Sequence, residues 1–245
     1  MNWDAWLRRL RRLLLPSFDL MLLERCRLAR FVEPGSLVLD AGCGDGGMAF
    51  RLARRGCRVL GVTHDGNAVT ALRERRDRLG LVAETIDFAT CDLRDGPPPD
   101  GPFDAIVCFD VLEHILDDRA ALGHLAAVLR DGGRLLVTVP DRSAPPLWGD
   151  TVSETEDGGH VRQGYAREEL ESLLTDAGLR PVRWGGYGGF FARRATNVSR
   201  RLERRGGRLW MLLRFLWLVA MRPLCRLDPL LPCPTYGLFA VAERP

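Results

Sequence analysis

The residues with the clearest chemical potential form a glycine-rich segment, Val38–Gly47, which reads VLDAGCGDGG. Glycines let the backbone turn tightly and approach a ligand, and a helix that begins there points free N–H groups at it. Gly42, Gly44 and Gly47 have the spacing of a dinucleotide-binding loop, and Asp65 lies near the place of its ribose-binding acid. On this segment alone, an NAD(P)-dependent oxidoreductase is one candidate function.

The amino-acid composition excludes several other classes of protein. All 35 basic residues are arginine, and without lysine neither a Walker-type phosphate loop nor a pyridoxal Schiff base can form. The seven cysteines make no CxxC pair and no Cys/His metal spacing, so we expect a reducing compartment and no metal site. The longest apolar run, 209–221, is interrupted by Arg214 and is too short to span a bilayer. We therefore expect a cytoplasmic protein.

The elements that must position the glycine segment alternate between strands and helices. Short apolar runs bounded by turn residues predict strands, and amphipathic stretches predict helices. The predicted strands are 36–40, 58–63, 85–91, 103–110, 134–139, 181–184 and 236–242, and the predicted helices are 47–55, 67–79, 115–130 and 166–177. Such alternation indicates right-handed crossovers between parallel strands. The expected fold is α/β, a mostly parallel seven-stranded sheet with helices on both faces.

Five segments, in this order along the chain, resemble class I S-adenosylmethionine-dependent methyltransferases. Val38–Gly47 resembles their first motif, in which an acid stands two residues before the first glycine. DFATCDL, PFDAIVCFDVLEHI and LRDGGRLLVTVP are similar to the motifs of their third, fourth and fifth strands. GHVRQGYAREELESLLTDAGL resembles the segment after the core in a bacterial subgroup with an LEH signature. The resemblance implies a Rossmann-like fold, and the dinucleotide hypothesis accounts only for the first segment.

The resemblance also implies which residues bind S-adenosylmethionine. Asp40 would orient the loop and accept a hydrogen bond from the methionine ammonium, and Asp92 would accept one from the adenine amine. The structural alternatives are a helix-capping role for Asp40 and Asp110, and a solvated turn for Asp92. The implied cofactor-binding residues are Asp40, Gly42, Cys43, Gly44, Thr63, His64, Cys91, Asp92, Leu93, Phe109 and Asp110.

Thr63 is the one clear departure from the family pattern. The second strand of the family usually ends in an acid that binds both ribose hydroxyls. A threonine there resembles the cyclopropane-fatty-acid synthase branch and some lipid methyltransferases, whose segment is similar to Gly61–Val69. A hydroxyl binds ribose without the help of charge, so we expect a weaker contact, for which His64 or Asp65 could compensate.

Methyl transfer to oxygen or nitrogen also needs a group that removes a proton from the acceptor. His160 lies in a polar segment, 141–164, close to Arg162 and Tyr165, and is the predicted base or acceptor-positioning residue. The alternative is a solvated loop histidine. His114, at a predicted helix start, is a pocket-lining candidate.

The two flanks of the core are basic and amphipathic. Residues 3–14 place tryptophan and leucine on one helical face and arginine on the other, and residues 190–226 hold 10 arginines and 1 acid. The residues predicted to line one further helical face are Arg200, Arg201, Arg204, Arg205 and Arg208. Tryptophan beside arginine is typical of helices at a membrane interface. We expect peripheral contact with the inner membrane face through 3–14 and 200–222, the alternative being helices that pack on the core. We expect no nucleic acid, because aliphatic residues alternate with the arginines.

Four segments are predicted: an amphipathic cap (1–34), a cofactor-binding core (35–189), a basic helical insertion (190–234) and a final core strand (235–245). The predicted function is methyl transfer from S-adenosylmethionine to a small-molecule or lipid-linked acceptor, at oxygen. The alternatives are a nicotinamide oxidoreductase and a membrane-peripheral module that binds the cofactor without turnover.

Overall fold

The computed structural model describes residues 21, 25, 27–156, 158–231 and 233–245. These residues form a seven-stranded sheet with α-helices on both faces. The predicted helix over 3–14 lies outside the described residues.

The sheet has the strand order β3-β2-β1-β4-β5-β7-β6. The strands are β1 (Leu37–Ala41), β2 (Arg58–Thr63), β3 (Ile86–Thr90), β4 (Phe103–Phe109), β5 (Leu129–Pro140), β6 (Arg180–Tyr187) and β7 (Gly237–Glu243). The first five strands are parallel, whereas β7 is antiparallel to both β5 and β6. The predicted fold class, an α/β and mostly parallel seven-stranded sheet, is confirmed.

Helices cover both faces because the buried strands need apolar partners on each side. The α-helices are α1 (Gly47–Arg54), α2 (Gly66–Arg78), α3 (Asp118–Ala127), α4 (Arg167–Asp176), α5 (Phe190–Arg205) and α6 (Gly207–Leu224). One core cluster packs side chains of α3 and α4, such as Leu122 and Leu170, on the sheet. A second packs side chains of α1 and α2, such as Phe50 and Leu72, on the other face.

Two predicted boundaries in the middle of the chain are wrong. The helix predicted over 115–130 begins only at Asp118, because the side chain of Asp117 caps it by accepting from Ala120 N at 2.9 Å. Leu112–His114 form a separate 3-10 turn. The helix ends at Ala127, since β5 already begins at residue 129, five residues before the predicted strand 134–139.

The helical insertion between β6 and β7 consists of α5, α6 and a 3-10 turn, Cys225–Leu230. Gly206, at a φ of +64°, separates the two helices. The prediction that Arg200 to Arg208 line one helical face is therefore wrong, because Arg208 belongs to α6. No helix among the described residues is long and apolar enough to cross a membrane. The four predicted segment boundaries stay a prediction.

Candidate active site

A cleft of about 300 Å³ lies where β1, β2, β3 and β4 end. This edge of a parallel sheet is where α/β folds bind ligands. Eight of the eleven predicted cofactor residues line the cleft: Gly42, Gly44, Thr63, His64, Cys91, Asp92, Leu93 and Asp110. Asp40 and Cys43 are instead buried, and Phe109 packs against the core. The sequence motifs therefore converge on one place in the fold.

Gly42 is required by the geometry of the loop. Its φ is +70°, and a Cβ atom there would lie 2.4 Å from Cγ2 of Val111. The glycine thus lets the loop after β1 approach the segment after β4, and this close approach sets the shape of the cleft.

Replacing Gly42 with alanine should weaken cofactor binding at least tenfold and lower stability by about 2 to 5 kcal/mol. Left-handed backbone costs about 1 to 2 kcal/mol for a residue with a Cβ, and overpacking against Val111 adds about 1 to 3 kcal/mol. Gly56→Ala is the matched control, because Gly56 has a φ of +89° but open space around its Cβ position. Chemical denaturation and calorimetry check both variants. Equal loss of affinity in the two would contradict this role of Gly42.

Asp40 is a buried acid with one oxygen unsatisfied. It is 3% exposed, and its Oδ2 atom has no hydrogen-bond partner among the described residues. Burial raises the pKa of Asp40 to about 7, although the backbone N–H of Ala49 donates to the carboxylate and lowers it. The bond from Ala49 serves the first turn of α1, as the capping alternative expects, and leaves Oδ2 for a donor on a ligand. An ammonium group fits this need, because a buried acceptor without a donor is costly.

Asp92 is held by a neighbouring arginine. Its Oδ1 atom accepts from Nε of Arg94 at 2.8 Å and from the backbone N–H of Arg94 at 3.0 Å. These bonds lower the pKa of Asp92. Arg94 also pairs with Glu156 at 2.9 Å, and Glu156 accepts from Leu116 N at 2.6 Å. Asp92 is thus part of an ionic network at the cleft and not an isolated turn residue.

Thr63 lies at the end of β2, where its hydroxyl accepts from the backbone N–H of Asp65 at 3.4 Å. The carboxylate of Asp65 accepts from Asn67 N at 2.9 Å and caps α2. Asp65 therefore serves the helix and does not line the cleft. This arrangement removes the acid on which the dinucleotide hypothesis depends, and it leaves Thr63 and His64 beside the predicted ribose position.

Asp110 is fixed by three donors at the end of β4. Its Oδ1 atom accepts from the hydroxyls of Thr138 at 2.7 Å and Tyr187 at 2.5 Å, and its Oδ2 atom accepts from Arg25 at 2.6 Å. Burial and the Asp110 charge raise the pKa of Tyr187 well above its usual value, so Tyr187 stays protonated and donates. The φ of Asp110 is +54°, a strained conformation of the kind that accumulates at functional sites. The alternative role of Asp110 as a helix cap is wrong, because Asp117 caps α3.

A second cavity, of about 460 Å³, adjoins the cleft and shares Asp110, His114 and Gly158 with it. Its other walls come from the 141–164 segment and from the helical insertion. The polar residues that line it include Arg25, Glu113, Asp150, His160, Thr196, Ser199, Arg200, Arg214 and Tyr236. We call this cavity the acceptor pocket, since it lies beside the predicted cofactor site.

His160 lines the acceptor pocket next to a second histidine. Its ring lies edge-to-face on that of His114, with centroids 4.8 Å apart. Nδ1 of His114 bonds the carbonyl of Gly159 at 2.9 Å, which places the proton on Nδ1. Burial lowers the pKa of His160, and His114 lowers it further, against the carboxylate of Asp150. His160 is therefore neutral near pH 7 and able to accept a proton.

Glu113 lies beside the imidazoles of His114 and His160 and forms a polar cluster with them. It is 1% exposed, and its Oε2 atom has no hydrogen-bond partner within the described part of the chain. Burial and the Asp110 carboxylate raise the pKa of Glu113. Donor atoms of Glu113, His114 and His160 lie within 4.8 Å of one another, a set that could also hold a divalent cation, although the sequence predicts no metal site.

Two residues grouped with His160 in the sequence have structural roles. Arg162 pairs with Asp118 and donates to the carbonyls of Ile115 and Leu116. Tyr165 is fully buried and donates to Asp118 at 2.8 Å. The two side chains attach the 141–164 segment to the start of α3 and so hold His160 over the site.

The sequence did not indicate several residues of the acceptor pocket. Asp150 forms an ion pair with Arg200 at 2.5 Å and accepts a hydrogen bond from the hydroxyl of Tyr236 at 3.4 Å. These residues are far apart in the chain, and none belongs to a motif. Arg94 gave a weak signal, since it follows Asp92 in the DFATCDLR stretch.

Comparisons with known proteins agree with this geometry. The family described as "Methyltransferase domain" matches residues 6–183. A probable S-adenosylmethionine-dependent methyltransferase of Mycobacterium tuberculosis is 35% identical over 145 residues, covering 59% of this chain and 49% of the relative. A ubiquinone biosynthesis O-methyltransferase of Xylella fastidiosa is 35% identical over 152 residues, covering 59% of this chain and 61% of the relative. The chain thus spans about half the length of the curated relatives that it matches.

Among solved structures, the [4+2]-cyclase SpnF matches with a TM-score of 0.62 and 24% identity, covering 90% of this chain and 81% of the cyclase. This likeness shows the fold alone. The finer placement in a subgroup with the LEH signature stays a prediction. With the family match over 6–183, and with three of the five ordered motifs lining one cleft, the chain belongs to the class I S-adenosylmethionine-dependent methyltransferase family.

Proposed function

We propose that this protein transfers a methyl group from S-adenosylmethionine to a hydroxyl oxygen of a small-molecule or lipid-linked acceptor. One observation carries the proposal: the motif-lined cleft and the histidine-lined acceptor pocket adjoin each other and share Asp110 and His114. A donor in the first and an acceptor in the second would meet between these two residues.

Residues at the cleft could bind each part of S-adenosylmethionine, the proposed methyl donor. Asp40 would bind the ammonium through Oδ2, Thr63 and His64 would contact the ribose, and Asp92 with the backbone of Leu93 would bind the adenine. When bound, S-adenosylmethionine supplies a methyl group on a positively charged sulfur. The protein contributes mainly the positioning of the two reactants and the exclusion of water.

In the acceptor pocket, His160 would take the proton of the acceptor hydroxyl. As the oxygen–methyl bond forms, that proton passes to the imidazole, and the electron pair of the broken carbon–sulfur bond stays on sulfur. A base in the correct position contributes about 10² to 10⁴-fold to the rate. Asp110, held in place by its three donors, would lie near the sulfonium.

The pH dependence of turnover should report the protonation of His160. Because the pKa of His160 is lowered from its ordinary value of 6.5, the neutral, active form dominates above that pH. We expect kcat at saturating cofactor to be flat from about pH 7 to 8.5 and to fall as the pH drops, with a midpoint below 6.5. Steady-state rates between pH 5 and 9 measure this. A midpoint above 6.5 would contradict the assignment.

The choice of oxygen as the acceptor atom draws support from relatives. The Xylella fastidiosa relative is named as an O-methyltransferase, and so is a relative from Pyrenophora dematioidea at 29% identity over 151 residues. These names belong to those proteins, whose length this chain covers only in part. They favour a hydroxyl over an amine as the acceptor.

A labelled donor tests the proposal. The protein is incubated with S-adenosylmethionine that carries a deuterated methyl group and with separate pools of hydroxyl-bearing metabolites and extracted lipids. Mass spectrometry should find a product with one deuterated methyl group on oxygen. A methyl group on nitrogen or carbon would contradict the choice of acceptor. Tight cofactor binding with no labelled product in any pool would favour a binding module without turnover, and a melting temperature raised by NAD but not by S-adenosylhomocysteine would favour an oxidoreductase.

A further inference from the structure

Helix α6 is apolar on two sides, and only one of them packs against the protein. On the inner side Leu218 and Met221 are buried with Ala192 and Ala195 of α5. The indole N–H of Trp217 donates to the carbonyl of Ala195 at 3.1 Å. This side accounts for the packing of the insertion.

The outer side of α6 carries a second apolar stripe. At about 100° per residue, positions 209, 212, 213, 216, 220 and 224 share one face of a helix. Their leucines are strongly exposed: Leu209 62%, Leu212 51%, Leu213 39%, Leu216 52% and Leu224 37%. Nine of the fifteen large apolar side chains that are exposed in the described part of the chain lie within 209–230. Exposure concentrated in this way marks an interaction surface and is unlike the scattered exposure of an ordinary surface.

Exposed arginines come before and after this leucine stripe in the chain. Arg204 lies over the ring of Trp148 at 5.1 Å, and Arg205 lies over that of Trp210 at 4.5 Å. No carboxylate among the described residues is within ion-pair distance of five exposed arginines, which are Arg201, Arg204, Arg205, Arg208 and Arg226. Their charges are therefore left for an anionic partner.

We propose that the leucine stripe and its arginines dock this protein on an anionic lipid bilayer. The leucines would enter the boundary between headgroups and acyl chains, and the arginines would bind lipid phosphates, as interfacial amphipathic helices do. A second copy of the chain fits less well, because a two-fold contact would set the same arginines against each other. A nucleic acid would use the arginines and leave the leucines exposed.

Docking of α6 would also place the acceptor pocket near the membrane. The same insertion that carries the stripe lines the pocket with Thr196, Ser199 and Arg200 from α5 and Arg214 from α6. A lipid-linked acceptor could then reach the pocket without leaving the membrane surface. This last step rests on the proposed function, whereas the docking itself does not.

Vesicle sedimentation of the full chain tests the docking. At low salt we expect the protein to pellet with vesicles of phosphatidylcholine and phosphatidylglycerol, and to stay in the supernatant with phosphatidylcholine alone. Leu212→Glu/Leu216→Glu should reduce the partition coefficient on anionic vesicles at least tenfold. Arg205→Glu/Arg208→Glu should also reduce it and should weaken its dependence on salt. Leu79→Glu/Val82→Glu is the matched control, because these side chains are 40% and 57% exposed but lie away from α6, and it should pellet like the wild type.

S-adenosylhomocysteine should raise the melting temperature of each variant, which shows that the variant is folded. A variant that keeps this shift but does not pellet has lost docking, and not the cofactor binding on which the proposed function depends. The docking proposal is overturned if the wild type stays in the supernatant with anionic vesicles. It is also overturned if the leucine variants pellet as the wild type does. A wild-type dimer that Leu212→Glu/Leu216→Glu dissociates, without vesicle binding, would assign the stripe to a second copy. Binding to DNA or RNA but not to vesicles would assign the arginines to nucleic acid.

Discussion

Replacing His160 with alanine is expected to lower kcat by about 100-fold or more while the affinity for S-adenosylhomocysteine stays within about twofold. The side chain lines the acceptor pocket and is absent from the lining of the cofactor cleft. Its loss would therefore remove the proton acceptor without touching the donor site. Because the 141–164 segment is held by Arg162 and Tyr165 rather than by His160, the variant should fold normally.

Single-turnover assays with the acceptor identified by mass spectrometry measure how far His160→Ala slows methyl transfer. Val152→Ala is a suitable control, since Val152 is 59% exposed in the same segment and should keep wild-type turnover. His114→Ala distinguishes the two histidines, because His160 would remain as a base. Treatment with EDTA adds a further check: wild-type turnover that survives it supports proton transfer, while its loss would point to a cation held by Glu113, His114 and His160. Unchanged kcat in His160→Ala would remove this residue from the mechanism.

Replacing Asp40 with asparagine should weaken cofactor binding by about 10- to 150-fold. A hydrogen bond to a charged group contributes about 1.5 to 3 kcal/mol, and asparagine keeps the shape but loses the charge that an ammonium needs. Equilibrium dialysis with labelled S-adenosylmethionine at pH 8 measures the affinity. Asp45→Asn is the control, because Asp45 is an exposed acid of the same loop that accepts a hydrogen bond from Gly47 N at 2.9 Å, a bond that asparagine can also accept. Equal affinities of Asp40→Asn and the wild type would contradict the role of Asp40.

The same substitution should stabilise the protein when no cofactor is bound. The pKa of Asp40 is raised in the folded state from 3.8 to about 7, so its favourable contribution is complete below pH 3.8 and is lost as the pH rises through 7. Above pH 7 the buried charge destabilises the folded chain by up to about 4 kcal/mol. Thermal melts of Asp40→Asn should therefore show a higher Tm than wild type at pH 8 and a smaller difference at pH 5. A lower Tm at pH 8 would show that the carboxylate is needed for folding itself.

The fold could be predicted because its causes are local. Apolar runs such as 58–63 and glycines such as Gly42 specify strands and turns by themselves, and these observed elements agree with the prediction. The prediction of a helix over 115–130 was wrong, because the Asp117 carboxylate accepts from Ala120 N and so caps a helix that begins only at Asp118. A periodic pattern does not show which residue caps the helix.

The cofactor cleft was largely predictable, whereas of the acceptor pocket the sequence indicated only His114 and His160. Motif residues such as Asp92 and Asp110 follow strands that end at the same edge of the sheet, so their convergence follows from the fold. Asp150, Arg200 and Tyr236 meet only because the helical insertion packs over the end of the sheet. That packing depends on long-range contacts that no spacing in the sequence encodes.

The glycine-lined cleft should bind an amino-acid-bearing nucleoside with a positively charged sulfur. Isothermal titration of S-adenosylhomocysteine into the protein at pH 8 measures this binding. We expect a saturable heat with one site per chain, and a much weaker one in Gly42→Ala. No heat with either S-adenosylhomocysteine or S-adenosylmethionine, in protein that melts cooperatively, would contradict it.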